Sequence, residues 1–298
     1  MRRNSSLDGI HVPLITPFTA DGTVAGTALE QLAHSMVDAG AAGLVALGTT
    51  GEPATLTPEE KTAVVDVCAR VCRERGVALT VGAGGNATSH SVTALAELAR
   101  WPEAAYALVP VPYFSRPTPD GVLAHFAELA AGSPAPVIVY HVPQRTARPL
   151  DALILRELAR VPGVAGIKYA VGGVDQAAVE LLGDLPPDCA LLAGDDTFLS
   201  PLLALGAAGG ITASAHLAPE RFAELVTAWR GGSLLRARDL GHALAALSTA
   251  VFAEPNPTVI KGVLHARGRI PTPDVRLPLL PADRAAVNTA LKRLSDLG

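Results

Sequence analysis

Apolar residues fall into short unbroken runs along this chain, each followed by a turn and then by a longer stretch with helical spacing of its apolar positions. Runs near 11–15, 43–47, 77–81, 105–109, 136–140, 164–168, 189–193 and 209–213 predict strands. Stretches near 27–39, 58–75, 88–100, 119–131, 150–160, 174–183, 197–205 and 219–230 predict the helices between them. The strand runs are apolar at consecutive positions rather than alternate ones, as expected of a parallel sheet covered on both faces. Thr57-Pro58-Glu59-Glu60 and Thr118-Pro119-Asp120 read as helix starts, with a capping hydroxyl, proline at the first position and acid in the first turn. Eight consecutive βα units predict an α/β fold, a (β/α)8 TIM barrel over residues 1–230, with an open doubly wound sheet as the alternative. Beyond Gly231-Gly232 only helical spacing remains, near 234–252, 257–266 and 281–296. Residues 231–298 are therefore expected to form a three-helix C-terminal extension packed on the barrel.

Composition narrows the function classes. The chain has 298 residues, 49% of them hydrophobic but only 4% aromatic, so its core must be aliphatic. A chain of this length can bury such a core without disulfides or metals. A net charge of −4 and few aromatics argue against a nucleic-acid partner, which needs a basic surface and stacking faces. Cys68 and Cys72 lie one helical turn apart and Cys189 stands alone, which suits buried thiols better than zinc ligands or a disulfide framework. The eight histidines show no paired spacing, so no metal site is expected. Residues 197–219 carry no Asp, Glu, Lys or Arg and are long enough to cross a bilayer, but Pro201, Gly206, Gly209 and Gly210 interrupt them. A helix, a turn and a buried strand account for that stretch, and no membrane partner is expected. No apolar segment follows Met1-Arg2-Arg3, so no targeting signal is expected and the cytoplasm is the expected location.

Only four of the 24 basic residues are lysines, at 61, 168, 261 and 292, which makes each lysine informative. In a barrel the chemistry sits at the C-terminal ends of the strands. There the second strand run gives Gly48-Thr49-Thr50-Gly51-Glu52, the fifth Tyr140-His141 and the sixth Gly166-Ile167-Lys168-Tyr169. An unpaired ammonium at the end of an apolar strand is costly. Lys168 therefore reads as a Schiff-base nucleophile, or else as a lysine paired with a buried carboxylate. Lys61 and Lys292 fall on exposed helix faces, and Lys261, in an apolar helix, reads as interfacial. The Thr49-Thr50 loop could hold a carboxylate with its hydroxyls and amides, or could be an ordinary capped turn. Tyr140 could relay protons beside Lys168 or simply fill the barrel. Arg145 and Arg148, in the loop beyond, could clamp a second carboxylate. No dinucleotide fingerprint or G-x-S-x-G element is present.

Taken together, these residues resemble the dihydrodipicolinate synthase / N-acetylneuraminate lyase family. The matching pieces are Thr16-Pro17-Phe18, Gly48-Thr49-Thr50-Gly51-Glu52, Pro112-Tyr113-Phe114 with Arg116-Pro117, Tyr140 through Arg145-Thr146, Gly166-Ile167-Lys168, Gly194-Asp195-Asp196, Glu254-Pro255-Asn256-Pro257 and Arg276-Leu277-Pro278. The resemblance implies a covalent Schiff base between Lys168 and pyruvate or a related 2-oxo acid, with no other cofactor. It assigns proton transfer to Thr49 and Tyr140, the pyruvate carboxylate to Thr50, and pocket backbone to Gly194 and Ile211. Arg145 matches the arginine that binds the carboxylate of aspartate semialdehyde in the synthases, which favours a synthase over a sialic acid lyase. A homotetramer, built as a dimer of dimers, is the family expectation. Three positions depart from the synthase pattern. Phe114 stands where a tyrosine hydroxyl normally reaches the neighbouring subunit's site, Tyr169 replaces an acid after the Schiff-base lysine, and His141 replaces Asn or Asp. Those departures keep open another aldolase, a dehydratase or a deaminase of the same family, such as a 2-keto-3-deoxy sugar acid aldolase or a pyrroline-carboxylate deaminase. A catalytically inactive binding paralogue is a further alternative. Pro58, Lys61 and His90 occupy the positions matching the lysine-effector site of the regulated synthases. Lysine is accordingly expected not to inhibit this protein, and a steady-state assay showing inhibition at physiological lysine would overturn that.

Overall fold

The computed structural model describes residues 7–297, and the segment read for a targeting signal, Met1–Ser6, lies outside the described residues. Its eight strands are β1 (Gly9–Pro13), β2 (Gly43–Ala46), β3 (Ala78–Gly82), β4 (Ala104–Pro110), β5 (Val137–His141), β6 (Val164–Tyr169), β7 (Ala190–Ala193) and β8 (Gly209–Ile211). Each pairs in parallel with the next, and β8 pairs back onto β1 with Gly9 opposite Gly209 and His11 opposite Ile211. The closed (β/α)8 barrel expected from the sequence is what forms, and the open sheet is excluded. Closure depends on Gly209, where a Cβ would lie only 1.8 Å from the Gly9 carbonyl oxygen, so no larger residue fits.

The helix signals act as read. Thr57 and Glu60 make a reciprocal capping box, with the Glu60 amide donating to Thr57 Oγ1 at 3.2 Å and the Thr57 amide to Glu60 Oε2 at 2.9 Å. The helices Pro58–Arg75 and Pro219–Arg230 begin and end at the expected residues. Others differ at their ends. Asp151 and Asp175 cap the helices Ala152–Arg160 and Gln176–Gly183, which therefore start two residues later than expected. The stretch 88–100 is a helix, Thr88–Ala96, that tightens into a 3₁₀ turn at Glu97–Arg100. The stretch 197–205 begins as a 3₁₀ turn, Asp196–Phe198, and becomes helical over Leu199–Ala204. Among the described residues no helix is long and apolar enough to cross a membrane.

Strand alternation splits the apolar side chains into two layers. Residues such as Val45, Leu108, Ile138, Tyr140, Leu192 and Ile211 pack together inside the barrel. Ile10, Val12, Leu79, Ile167, Tyr169 and Leu191 pack outward against the helices. That outer layer continues without a break into the C-terminal helices Leu234–Val251, Thr258–Ala266 and Arg284–Ser295. The first of these lies along Pro219–Arg230 and Leu199–Ala204, and the last packs on the other two. Cys68 and Cys72 are buried thiols in the outer layer, and burial pushes the Cys72 thiol up to about 12.

Candidate active site

Lys168 is the penultimate residue of β6 and sits directly across from Tyr140 of β5 in the strand register. Both point into the barrel, and Lys168 Nζ lies 4.2 Å from the centre of the Tyr140 ring. Lys168 is only 6% exposed, so its amine is largely shielded from bulk water. Gly194, just past β7, leaves room for it. A Cβ there would stand 3.0 Å from Lys168 Cγ and 2.8 Å from the Ala170 side chain, so glycine permits the lysine stem to pass. The Gly194 amide donates to the Tyr169 carbonyl at 2.7 Å, tying the ends of β6 and β7.

Two carboxylates follow that glycine. Asp195 accepts from the Gly172 amide at 2.6 Å, and burial raises its pKa against the pull of that amide and of Lys168 and Arg145. Asp196 is fully enclosed and burial raises it to about 6, opposed by the Ser214 amide it accepts from and by Lys168. This Asp pair lies in the Gly194-Asp195-Asp196 motif, to which the sequence alone attaches no task. Its position at a strand's C-terminal end was the available signal.

On the other side of the site, β2 ends in a tight turn. Leu47 takes a left-handed backbone conformation, φ 55°, and Thr49–Gly51 forms a 3₁₀ turn. Thr16 Oγ1 donates to the Gly51 carbonyl at 2.8 Å, and Asn256 Nδ2 donates to Thr50 Oγ1 at 2.9 Å. The loop is thus more than a capped turn: its hydroxyl is held from a remote segment. Asn256 lies in the Glu254-Pro255-Asn256-Pro257 motif, but nothing in the sequence pairs it with Thr50.

A cavity of about 1180 Å³ opens over this end of the barrel, with Gly48, Thr49, Tyr113, Tyr140, Val142 and Arg145 among its walls. Thr50, Lys168, Gly194 and Ile211 do not line it. Lys168 stands against the Tyr140 ring, which does line it, and Ile211 packs with Tyr140 inside the barrel. Pro58 and Lys61 also line the cavity, further along the same wall. Arg145 projects from the short helix Pro143–Thr146, which periodicity did not predict, and its side chain is exposed. Arg148 is engaged elsewhere, donating from Nη2 to the Arg116 carbonyl at 2.8 Å. Of the two arginines, Arg145 is the one on the cavity.

Phe114 stands at the tip of the loop after β4, 91% exposed, with a left-handed φ of 63° that a non-glycine residue adopts only under strain. The other two departures take no part in the pocket. Residues adjacent on a strand face opposite ways, so Tyr169 and His141 point outward behind Lys168 and Tyr140. Tyr169 OH donates to Asp175 Oδ1 at 2.6 Å, and its ring lies 5.6 Å from that of His141. Burial holds His141 neutral, down to about 4. Lys261 also departs from its expectation. It is fully buried within the chain and ion-paired with Glu52, not at a surface.

The chain was compared with known proteins. The model of the dihydrodipicolinate synthetase family matches residues 6–296. The 4-hydroxy-tetrahydrodipicolinate synthase of Neisseria meningitidis serogroup B is 36% identical over 294 residues, covering 98% of this chain and 100% of that protein. The enzyme of the same name from Moorella thermoacetica is 37% identical over 288 residues, covering 96% of each. Among solved structures, the chloride-inhibited dihydrodipicolinate synthase of Acinetobacter baumannii, complexed with pyruvate, superposes with a TM-score of 0.91 at 33% identity, covering 97% of this chain and 99% of that one.

Proposed function

Because the chain belongs to the dihydrodipicolinate synthetase family, we propose that it is a class I aldolase-type lyase, a 4-hydroxy-tetrahydrodipicolinate synthase, that condenses pyruvate with aspartate semialdehyde through an imine on Lys168. The observation that carries this reading is the shielded Lys168 amine set over the Tyr140 ring, which walls a cavity together with Thr49 and Arg145.

In this scheme the Lys168 amine attacks the ketone carbon of pyruvate, and the carbinolamine expels water to give the imine. The protonated imine is the electron sink, a task other enzymes give to a bound cofactor. Loss of a methyl proton then yields the enamine, whose carbon adds to the aldehyde. Tyr140 and Thr49 pass protons to and from the hydroxyl that leaves and the oxygen that becomes an alcohol. Thr50 accepts from Asn256, so its own hydroxyl proton remains to donate to the pyruvate carboxylate, together with the loop amides. Arg145 takes the second substrate's carboxylate as a bidentate donor. Gly194 leaves room for the Lys168 stem, and Ile211 packs with Tyr140 inside the barrel.

Phe114 favours one competing reading, a different aldehyde partner, because it cannot supply the phenol expected at that place. Exposed at the loop tip, it suits contact with a second copy of the chain in a tetramer of tight dimers. A coupled assay with pyruvate and aspartate semialdehyde separates the readings: turnover supports the synthase, and pyruvate labelling without turnover supports the other aldehyde. Introducing the hydroxyl by Phe114→Tyr is expected to raise kcat about 10²-fold, the low end of what a positioned proton donor contributes. An unchanged kcat would mean the relay is complete without it.

A further inference from the structure

Three residues of the C-terminal segment converge on the loop that carries Thr49 and Thr50. Asn256 holds the Thr50 hydroxyl, as described above. Lys261, on the helix Thr258–Ala266, places Nζ 2.5 Å from Glu52 Oε1. The same ammonium donates to the Asp274 carbonyl at 2.8 Å and lies 4.0 Å from the centre of the Phe18 ring. The Arg276 amide takes the other Glu52 oxygen at 3.0 Å. The Arg276 guanidinium donates to the Thr55 carbonyl at 2.8 Å, to the Gly22 carbonyl at 2.9 Å and to both oxygens of Glu60. Both oxygens of Glu52 are therefore engaged from the C-terminal segment.

The pair is unusually deep, with side chains 0% and 3% exposed. A well-packed apolar pair would serve the stability of such a site as well or better, so a buried ion pair asks for another reason. Glu52 supplies one. It is a non-glycine residue in the left-handed region, φ 54°, two positions after Thr50, at the end of the 3₁₀ turn. That conformation persists only where the surroundings hold it, and the ion pair, with the Arg276 amide, anchors the side chain of this residue. We propose that the Lys261–Glu52 pair is a positioning device that fixes the Thr49–Thr50 turn for the substrate carboxylate from within the C-terminal segment, without itself touching substrate. This rests on the carboxylate-binding reading of that turn.

The test separates positioning from packing by comparing wild type with Lys261→Met, with the double variant Lys261→Met/Glu52→Leu and with Glu52→Gln. Each is followed by thermal unfolding and by borohydride trapping of pyruvate as a function of pyruvate concentration, read by intact mass. Lys261→Met alone is expected to lower Tm, because it strands the Glu52 charge in the interior. The double variant is expected to recover Tm, yet to need about 10²-fold more pyruvate for half-labelling, the scale of loss when a binding group is displaced by about 1 Å. Full labelling at saturating pyruvate is still expected, since Lys168 is untouched. Glu52→Gln keeps an acceptor for the Arg276 amide and is expected to shift half-labelling in the same direction, which secures the test if the double variant does not fold. Half-labelling at the wild-type concentration in a folded double or Glu52→Gln variant would overturn the inference and leave the Schiff-base reading standing. A wild type that traps no pyruvate at any concentration would overturn both.

Discussion

Lys168→Ala loses turnover by on the order of 10⁴-fold or more, as expected when a covalent nucleophile is removed and binding groups remain. Lys168→Arg is equally inactive, because a guanidinium stays protonated and cannot form the imine, even though it preserves charge. The contrast matters, since an electrostatic role for Lys168 would let arginine rescue part of the activity. The alanine variant has a second expected signature. Lys168 is one of the groups that hold the Asp196 pKa down against burial. Removing that charge is expected to move the Asp196 titration upward from about 6 while Gly194 and the barrel stay in place. Kinetics with both variants, together with an unchanged circular dichroism spectrum, checks this. Partial activity in Lys168→Arg would contradict it.

The protein is expected to lose stability steeply as pH falls from about 6.5 to about 4. His11, His141 and His216 are buried, and burial lowers each from 6.5 to about 4. His216 is neutral by its contacts as well: Nε2 accepts from the Ile15 amide at 3.2 Å, and Nδ1 is 2.8 Å from the Ala213 carbonyl, to which it donates. Within that window the unfolded chain binds these three protons and the native one does not. Stability is therefore fully present above about 6.5 and is withdrawn as pH falls through the window. At about 1.4 kcal/mol per pH unit, each histidine contributes on the order of 3 kcal/mol. Asp196 works the other way. Its native pKa of about 6 lies above the 3.8 of the free group, so it stabilises at low pH and loses that contribution as pH rises towards 6. One such group offsets about one histidine, leaving a net loss of several kcal/mol, a large part of a typical domain's stability. Thermal unfolding from pH 8 to pH 4 should show Tm level above about 6.5 and falling below it. A flat Tm over the whole range would mean the histidines are not buried neutral.

Much of the fold could be read from the chain because its local signals agree with its topology. Parallel strands covered on both faces leave unbroken apolar runs, and all eight were placed to within a few residues. Pro58 and Pro119 mark helix starts because proline suits the first helical turn. The 3₁₀ turns at Glu97–Arg100 and Asp196–Phe198 were not visible, since they share the apolar spacing of the helices they adjoin. The helix Pro143–Thr146, at a single turn, is too short to show a period.

At the site, the residues on strand ends are legible in the sequence, and the directions of their neighbours follow from the strand period. The two-residue period that sends Lys168 and Tyr140 inward sends Tyr169 and His141 outward, so two apparent departures from the synthase pattern lie behind the strands. Partners remote in sequence were out of reach. Nothing near Lys261 names Glu52, and nothing near Asn256 names Thr50, because each pair joins segments about 200 residues apart in the chain. Lys261 was accordingly read as interfacial when it is the most deeply buried charge beside the site.

The central claim is that Lys168 forms a covalent imine with pyruvate, and reductive trapping tests it most directly. The folded protein is incubated with pyruvate and borohydride, then examined by intact mass and by peptide mapping. One equivalent of reduced pyruvate on the Lys168 peptide, absent without pyruvate, is the predicted result. A folded protein that acquires no adduct, or acquires it on Lys61 or Lys292 instead, would contradict the account.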